Sequence, residues 1–225
     1  MKLQLTLDHG KRHEVLRVAD MLATHVDVLE IGFPMVITFG LDLIKDIRAA
    51  HPDLCICVDC KVFHGGTGVT TRCFEAGANI VTVLSGAPDP VIAKMVEKAR
   101  NYGGKVMCDM AATPRTTGKR TAEVDQLGVD YVMVPSGFIP EYDYDIDAHR
   151  RTFLRPKVRP LDLAGVVKRN LRNAKLAVHT GINEGNIREV IALNPELILV
   201  GRAILDTDDW VMAADRLKRF MPFEG

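Results

Sequence analysis

The sequence predicts a single (β/α)8 TIM barrel spanning residues 1–225. Three features point that way. Short runs rich in Val, Ile, Leu and Cys recur eight times, as expected of parallel strands buried on both faces. Amphipathic stretches separate them, with apolar residues at three- and four-residue spacing, and these read as helices. Dividing 225 residues by eight leaves about 28 per βα unit, and strands alternating with single helices make a parallel sheet with right-handed crossovers. Eight such units suggest closure as a barrel of minimal size. A doubly wound open sheet is the rival, but the GxGxxG turn of a dinucleotide fold is missing after the first strand, where the chain reads DHGKRH.

The predicted strands are LQLTLD (3–8), VDVLEIG (26–32), LCICVDCK (54–61), NIVTVL (79–84), KVMCDM (105–110), VDYVMV (129–134), KLAVHT (175–180) and ELILVG (196–201). Predicted helices include HEVLRVADMLATH (13–25), LDLIKDIRAAH (41–51), DPVIAKMVEKARNYG (89–103), LDLAGVVKRNLRN (161–173) and a last one within 206–220. Glycines in EAGAN, NYGGK and QLGVD mark helix ends just before strands four, five and six. The 40 residues from Pro135 to Ala174 break the rhythm, with Pro140, Pro156 and Pro160 among them. They read as a long connection, about 138–160, after strand six. It is either a functional lid or an elaborated surface loop.

Composition narrows the function. Lys plus Arg is 29 and Asp plus Glu is 29, so the formal net charge is zero. That balance argues against a nucleic-acid partner or a polybasic membrane binder. The most apolar stretch, 31–41, is interrupted by Gly32, Pro34 and Gly40 and is too short to span a membrane. Asp8 comes before any signal-peptide core could form. Five cysteines, three of them in CICVDC, argue against a secreted disulfide scaffold, so a cytoplasmic location is expected. Cys55 and Cys57 share a strand face that Cys60 does not, so the three thiolates do not converge on one zinc. They read as small buried hydrophobes.

In a barrel, active residues gather at the C-terminal ends of the strands. Asp8, Glu30, Asp59, Lys61, Asp109, His179, Thr180 and Arg202 all fall at or just beyond such ends. Ionisable groups in buried strands are costly unless paired, so this convergence reads as a site or as an ion-pair network closing the barrel mouth. Asp59 and Lys61, two apart on one strand face and about 6.6 Å apart along it, would keep each other charged. Such a pair can hold a cation beside an electrostatic clamp. Glu30 on the neighbouring strand could share the cation, since two carboxylates with waters and substrate oxygens commonly hold Mg2+. Opposite them, HTGIN (179–183) runs from strand seven into a helix and VGRAI (200–204) leaves strand eight, so backbone N–H groups after Gly181 would face an anion at a helix N-terminus. The loops after those strands frequently bind phosphate in barrels, and Arg202 adds a charged fork. Each glycine is otherwise an ordinary tight turn.

The run VDCKVFHGGTGVTTRCFEAGANIVTVLSGA (58–87), with LQLTLD, VLEIGFP, KVMCDM, LGVDYV and VGRAI, resembles the hexulose-6-phosphate synthase and 3-keto-L-gulonate-6-phosphate decarboxylase group of the orotidine 5′-monophosphate decarboxylase superfamily. The resemblance implies a (β/α)8 barrel, a homodimer with sites near the interface, Mg2+, and an enediolate formed from a sugar phosphate. It implies that Asp8 positions substrate, that Glu30 and Asp59 ligate Mg2+, and that Lys61 stabilises the enediolate. Gly181, Ile182, Gly201 and Arg202 would bind the phosphate. Asp109 is a further candidate for substrate contact.

Three departures stand out. The family's D-x-K-x-x-D ends here in His64, which can hydrogen-bond but is not a fixed negative charge. The family's His after strand six is Pro135, which has no transferable proton. The second glycine of V-x-G-G-I is Thr180. His179, His64 and His149 are therefore candidates for the displaced acid or base, with His179 best placed at a strand end. The resulting expectation is a Mg2+-dependent carbon–carbon lyase. Decarboxylation of a β-keto sugar acid phosphate is the first reading, and aldol chemistry between formaldehyde and ribulose 5-phosphate is the alternative. A non-catalytic sugar-phosphate-binding protein is a second alternative.

Overall fold

Along the first strand Leu3, Leu5 and Leu7 alternate with Gln4 and Thr6, and all five are buried. Strand side chains alternate between faces, so such burial requires a sheet covered on both sides. The computed structural model, which describes residues 1–112, 117–134, 160–179 and 181–222, shows how this is done. Eight parallel strands run β1 (Lys2–Leu7), β2 (Val28–Ile31), β3 (Cys55–Val62), β4 (Ile80–Leu84), β5 (Lys105–Asp109), β6 (Tyr131–Val134), β7 (Lys175–Val178) and β8 (Leu197–Val200). They pair in sequence order and close through β8 onto β1. The protein is a (β/α)8 barrel, as predicted, and each strand falls within two residues of its predicted bounds. Pro135, His149, Thr180 and the 138–159 part of the long connection lie outside the described residues.

The helices are α1 (Arg12–Leu22), α2 (Phe33–Ala50), α3 (Gly66–Glu75), α4 (Asp89–Asn101), α5 (Thr117–Gln126), α6 (Pro160–Asn170), α7 (Ile187–Ala192), α8 (Arg202–Leu205) and α9 (Trp210–Lys218). A 3-10 turn, Met110–Ala112, follows β5. The second helix departs from expectation. It begins at Phe33, directly after Gly32, rather than at Leu41. Gly40, at φ 64° and ψ −159°, breaks it internally. Most of the apolar 31–41 stretch thus forms the first half of a kinked helix, while Ile31 ends β2. The helix-ending glycines behave as read, Gly77 at φ 108° and Gly128 at φ 86°, where a side chain would be strained.

Two apolar groups hold the barrel. Outside the sheet, Leu3, Leu5, Leu29, Ile56, Val81 and their neighbours pack under the helices. Inside it, Val28, Cys57, Ile80, Met107, Tyr131 and Leu199 fill the lumen. Each fully buried Leu or Ile contributes about 1.5–3 kcal/mol. Toward the C-terminal end the lumen turns polar, with Thr6, Glu30, Asp59, Thr82 and Asp109 all buried. Among the described residues no helix is long and apolar enough to cross a membrane.

Candidate active site

The polar layer is organised around Lys61. Its backbone sits at φ 44°, a left-handed conformation uncommon for a residue with a side chain. The pairing of β3 with β4 shifts register between Val58 and Val62 around it. Irregularities of this kind re-aim a side chain and cluster at functional sites. The sequence alone places Asp59 and Lys61 on one face of a regular strand. Their side chains do meet, but through this irregularity. Lys61 Nζ lies 2.9 Å from Asp59 Oδ2 and 2.9 Å from Asp109 Oδ2. Burial works against the ammonium, but the Asp109 and Asp59 carboxylates outweigh it and hold Lys61 above the ordinary lysine range. The group is therefore a permanent cation.

The surroundings lock this triad. The Lys61 backbone N–H donates to Thr82 Oγ1 at 2.9 Å, and Thr82 Oγ1 donates to Asp59 Oδ1 at 2.6 Å. Asp109 Oδ1 accepts from the Ala111 backbone N–H at 2.8 Å. Asp109, proposed from sequence as a substrate contact, is fully buried with one oxygen on Lys61 and the other on Ala111. Sequence reasoning missed Thr82. Its only signal was a hydroxyl inside the otherwise aliphatic NIVTVL, at an inward position.

Glu30 sits beside the triad. Its Oε2 accepts from Gln4 Nε2 at 2.5 Å and from Thr6 Oγ1 at 3.1 Å. Burial, then the nearby Asp59 carboxylate, pushes its carboxyl up to about 8. Gln4 Oε1 is buried with no hydrogen-bond partner among the described residues. This corner is rich in oxygen, which fits a hard divalent cation. Among the described residues no three His, Cys, Asp or Glu side chains gather to hold a metal alone. Glu30 and Asp59 would supply two carboxylates, which suits Mg2+, an ion that usually keeps waters and substrate oxygens as its other ligands.

Across the mouth lies a cleft of about 610 Å³. Asp8, His179, Gly181, Ile182, Gly201 and Arg202, all named from sequence, line it together. Asp8 lies just beyond β1 over Gly32, where any Cβ would collide with its carboxylate and with the Leu7 carbonyl. The glycine of GFP therefore makes room for Asp8. Desolvation in the cleft wall raises the Asp8 carboxyl, with His179 pulling it back. Burial keeps the His179 imidazole below its ordinary range, with Asp8 acting in the opposite sense. Its backbone N–H donates to the Val134 carbonyl at 2.8 Å, which ties β7 to the end of β6.

Two expectations change. The segment after Gly181 does not open a helix directly. Asn183 and Asn186 donate to the Gly181 carbonyl at 3.2 and 3.1 Å, forming a turn, and α7 starts only at Ile187. The helix after Gly201 has only four residues. Neither turn therefore leads straight into a long helix, and the polar groups that remain there for an anion are the Arg202 side chain and the turn backbone. His64, named as a catalytic candidate, is exposed on the β3–α3 turn, its ring edge-on to Phe63 at 5.4 Å. It takes no part in the hydrogen bonds described for Asp59, Lys61 and Asp109.

Residues 1–217 match the model of the Orotidine 5'-phosphate decarboxylase / HUMPS family. The chain belongs to this family. This family member is similar to the 3-hexulose-6-phosphate synthase of Bacillus subtilis (strain 168), 33% identical over 221 residues that cover 98% of this chain and 99% of that protein. The crystal structure of 3-hexulose-6-phosphate synthase from Salmonella typhimurium matches it with a TM-score of 0.85 at 27% identity, over 98% of each chain. That of 3-keto-L-gulonate-6-phosphate decarboxylase from Vibrio cholerae shares the fold, with a TM-score of 0.76 at 22% identity over 98% of this chain and 99% of that one. The resemblance read from the 58–87 run therefore holds. The expected enzyme class holds with it: the protein is a carbon–carbon lyase.

Proposed function

We propose that the protein catalyses the aldol addition of ribulose 5-phosphate to formaldehyde, as a 3-hexulose-6-phosphate synthase. The full-length similarity to the Bacillus subtilis synthase is the observation that carries this reading. It reverses the order in which the sequence ranked the two reactions. Decarboxylation of a keto sugar acid phosphate rests on a neighbour that shares the fold alone, at 22% identity.

The arrangement of the polar residues supports this reading. Arg202 and the turns at Gly181 and Gly201 would hold the phosphate, with Asp8 in the same cleft toward the sugar hydroxyls. His179, kept neutral by burial, would take a proton from C1 of the ketose. The electron pair left behind makes an enediolate, and the fixed Lys61 ammonium stabilises its oxygen without reorganising. C1 then bonds to the formaldehyde carbon, and the formaldehyde oxygen takes the proton back from His179. Glu30 and Asp59 would hold Mg2+, which supplies Lewis-acid stabilisation of developing oxyanions. Glu30, Asp59 and Asp109 are buried, and charge interactions are stronger there than in bulk water.

A homodimer fits the same reading. Phe33, Ile37 and Phe63 are 37%, 70% and 45% exposed, beside the mouth in the β2–α2 and β3–α3 regions. A second copy would cover them and bring His64, next to Phe63, toward an interface.

The test is formation of hexulose phosphate from ribulose 5-phosphate and formaldehyde with Mg2+, in wild type and Lys61→Ala. Turnover that disappears in the variant and in excess chelator supports the aldol reading. Tight ribulose 5-phosphate binding by a folded protein without turnover would favour a binding protein. CO2 release from 3-keto-L-gulonate 6-phosphate in its place would restore the decarboxylase.

A further inference from the structure

Cys60 stands in the chain between Asp59 and Lys61. Its side chain leaves the strand on the opposite face from Asp59, toward α3. There its sulfur lies 3.4 Å from that of Cys73, in the last turns of that helix. The chain's five cysteines are all free. Cys57 and Cys108 are fully buried, and Cys55 sits at the N-terminal end of β3 against the lumen. Cys60 is half-buried, whereas Cys73 is 1% exposed.

We propose that Cys60 and Cys73 form a reversible disulfide site that couples oxidation of the protein to the Asp59–Lys61 segment. A disulfide bond is about 2.05 Å long, so the two sulfurs must close by about 1.3 Å. The chain between them contains the left-handed Lys61, the register break after Val58 and the left-handed Gly65 that starts α3. This is the least regular part of the barrel wall, and it can shift without unpairing a whole strand. Closure taken up by the Cys60 backbone would draw Asp59 and Lys61 with it. Their contacts to Thr82 and Asp109 span only 2.6–2.9 Å, and hydrogen bonds of that length are lost over shifts of about an ångström.

The co-reactant is hydrogen peroxide. One of the two sulfurs attacks the peroxide oxygen, the O–O bond breaks, and that cysteine becomes a sulfenic acid as one water leaves. The other sulfur then displaces the hydroxyl, the S–S bond forms and a second water leaves. Two electrons pass from the thiols to the peroxide. A dithiol reductant reverses the change by thiol–disulfide exchange.

The full chain is treated with hydrogen peroxide, its free thiols are blocked, and it is digested with trypsin without reduction. The expected product is a cross-link between the peptide ending at Lys61 and the peptide starting at Cys73, cleaved by dithiothreitol. Cys55 and Cys57 share the first peptide with Cys60, so Cys60→Ala and Cys73→Ala must each abolish the cross-link. Amide hydrogen exchange across residues 58–64 is expected to change on oxidation in wild type and in neither variant. No cross-link, a cross-link that survives Cys60→Ala, or a cross-link that leaves exchange unchanged would each overturn the proposal. None of these readouts depends on the aldol reaction. In wild type that turns over, activity is expected to fall at least about tenfold on oxidation and to return on reduction.

Discussion

The Lys61 ammonium lies 2.9 Å from the Asp109 carboxylate, joining β3 to β5 across the intervening strand, while its other contact is Asp59 on its own strand. One cation is thus fixed by two carboxylates from different parts of the chain. A lysine held this way has its charge in place before a substrate arrives. That is the requirement for stabilising an oxyanion without reorganisation.

Lys61→Ala is expected to lower kcat for the aldol reaction by about 10²–10³, the usual cost of removing one oxyanion-stabilising group. It should also leave Asp59 and Asp109 facing each other without a counter-ion. Steady-state kinetics checks the first effect and a thermal melt the second. An unchanged kcat would remove Lys61 from the chemistry.

Arg202→Ala is expected to raise the KM for ribulose 5-phosphate about 10- to 100-fold, as loss of a charge-assisted hydrogen bond worth about 1.5–3 kcal/mol would. The side chain is exposed, so Tm should stay the same. A kcat effect with KM unchanged would move the phosphate elsewhere in the cleft.

Thr82→Val keeps the shape but removes the hydroxyl that accepts from Lys61 N–H and donates to Asp59. It leaves a buried donor and an acceptor unpaired, at a cost of about 1–3 kcal/mol in denaturant unfolding. Thr82→Ser, which keeps the hydroxyl, should recover most of the loss.

Glu30 gives a pH signature. Its carboxyl titrates at about 8 in the fold, against an ordinary value of 4.5. Between those values the folded protein keeps a proton that the unfolded chain has released, so this group's contribution to stability is full below about 4.5 and falls as pH rises toward 8. In chelator, Glu30→Gln should flatten that slope between about pH 5 and 8. A slope identical to wild type would show that Glu30 is ionised throughout.

His179→Gln is expected to reduce kcat by about 10²–10⁴, the range for one positioned acid or base, with ribulose 5-phosphate binding retained. Because burial lowers the imidazole from its ordinary 6.5, the acid limb of the wild-type kcat/KM profile should fall below pH 6.5. A limb above that value would assign the proton transfer to another group.

Much of the site is legible in the amino-acid sequence. Asp8, Glu30, Asp59, Lys61, His179 and Arg202 stand out because ionisable residues at the ends of buried aliphatic runs need a reason to be there. Thr82 and Gln4 do not stand out. A hydroxyl or an amide in a strand carries no such penalty by itself, and what each binds depends on residues 20 or more positions away. His64 stands where the family pattern D-x-K-x-x-D has its last Asp, and Gly65 turns the chain there and leaves the ring at the surface of the single chain, a placement its spacing from Lys61 does not reveal.

The eight βα units, their order and the strand ends where chemistry gathers follow from the order of amino acids alone. Strand and helix periodicities are local, and parallel strands with right-handed crossovers leave few ways to close. The contact of Asp109 with Lys61, the loss of register in β3 at that residue and the meeting of Cys60 with Cys73 arise only in the folded barrel. Each depends on how neighbouring strands and helices stagger, a distance set by the packing of the whole molecule.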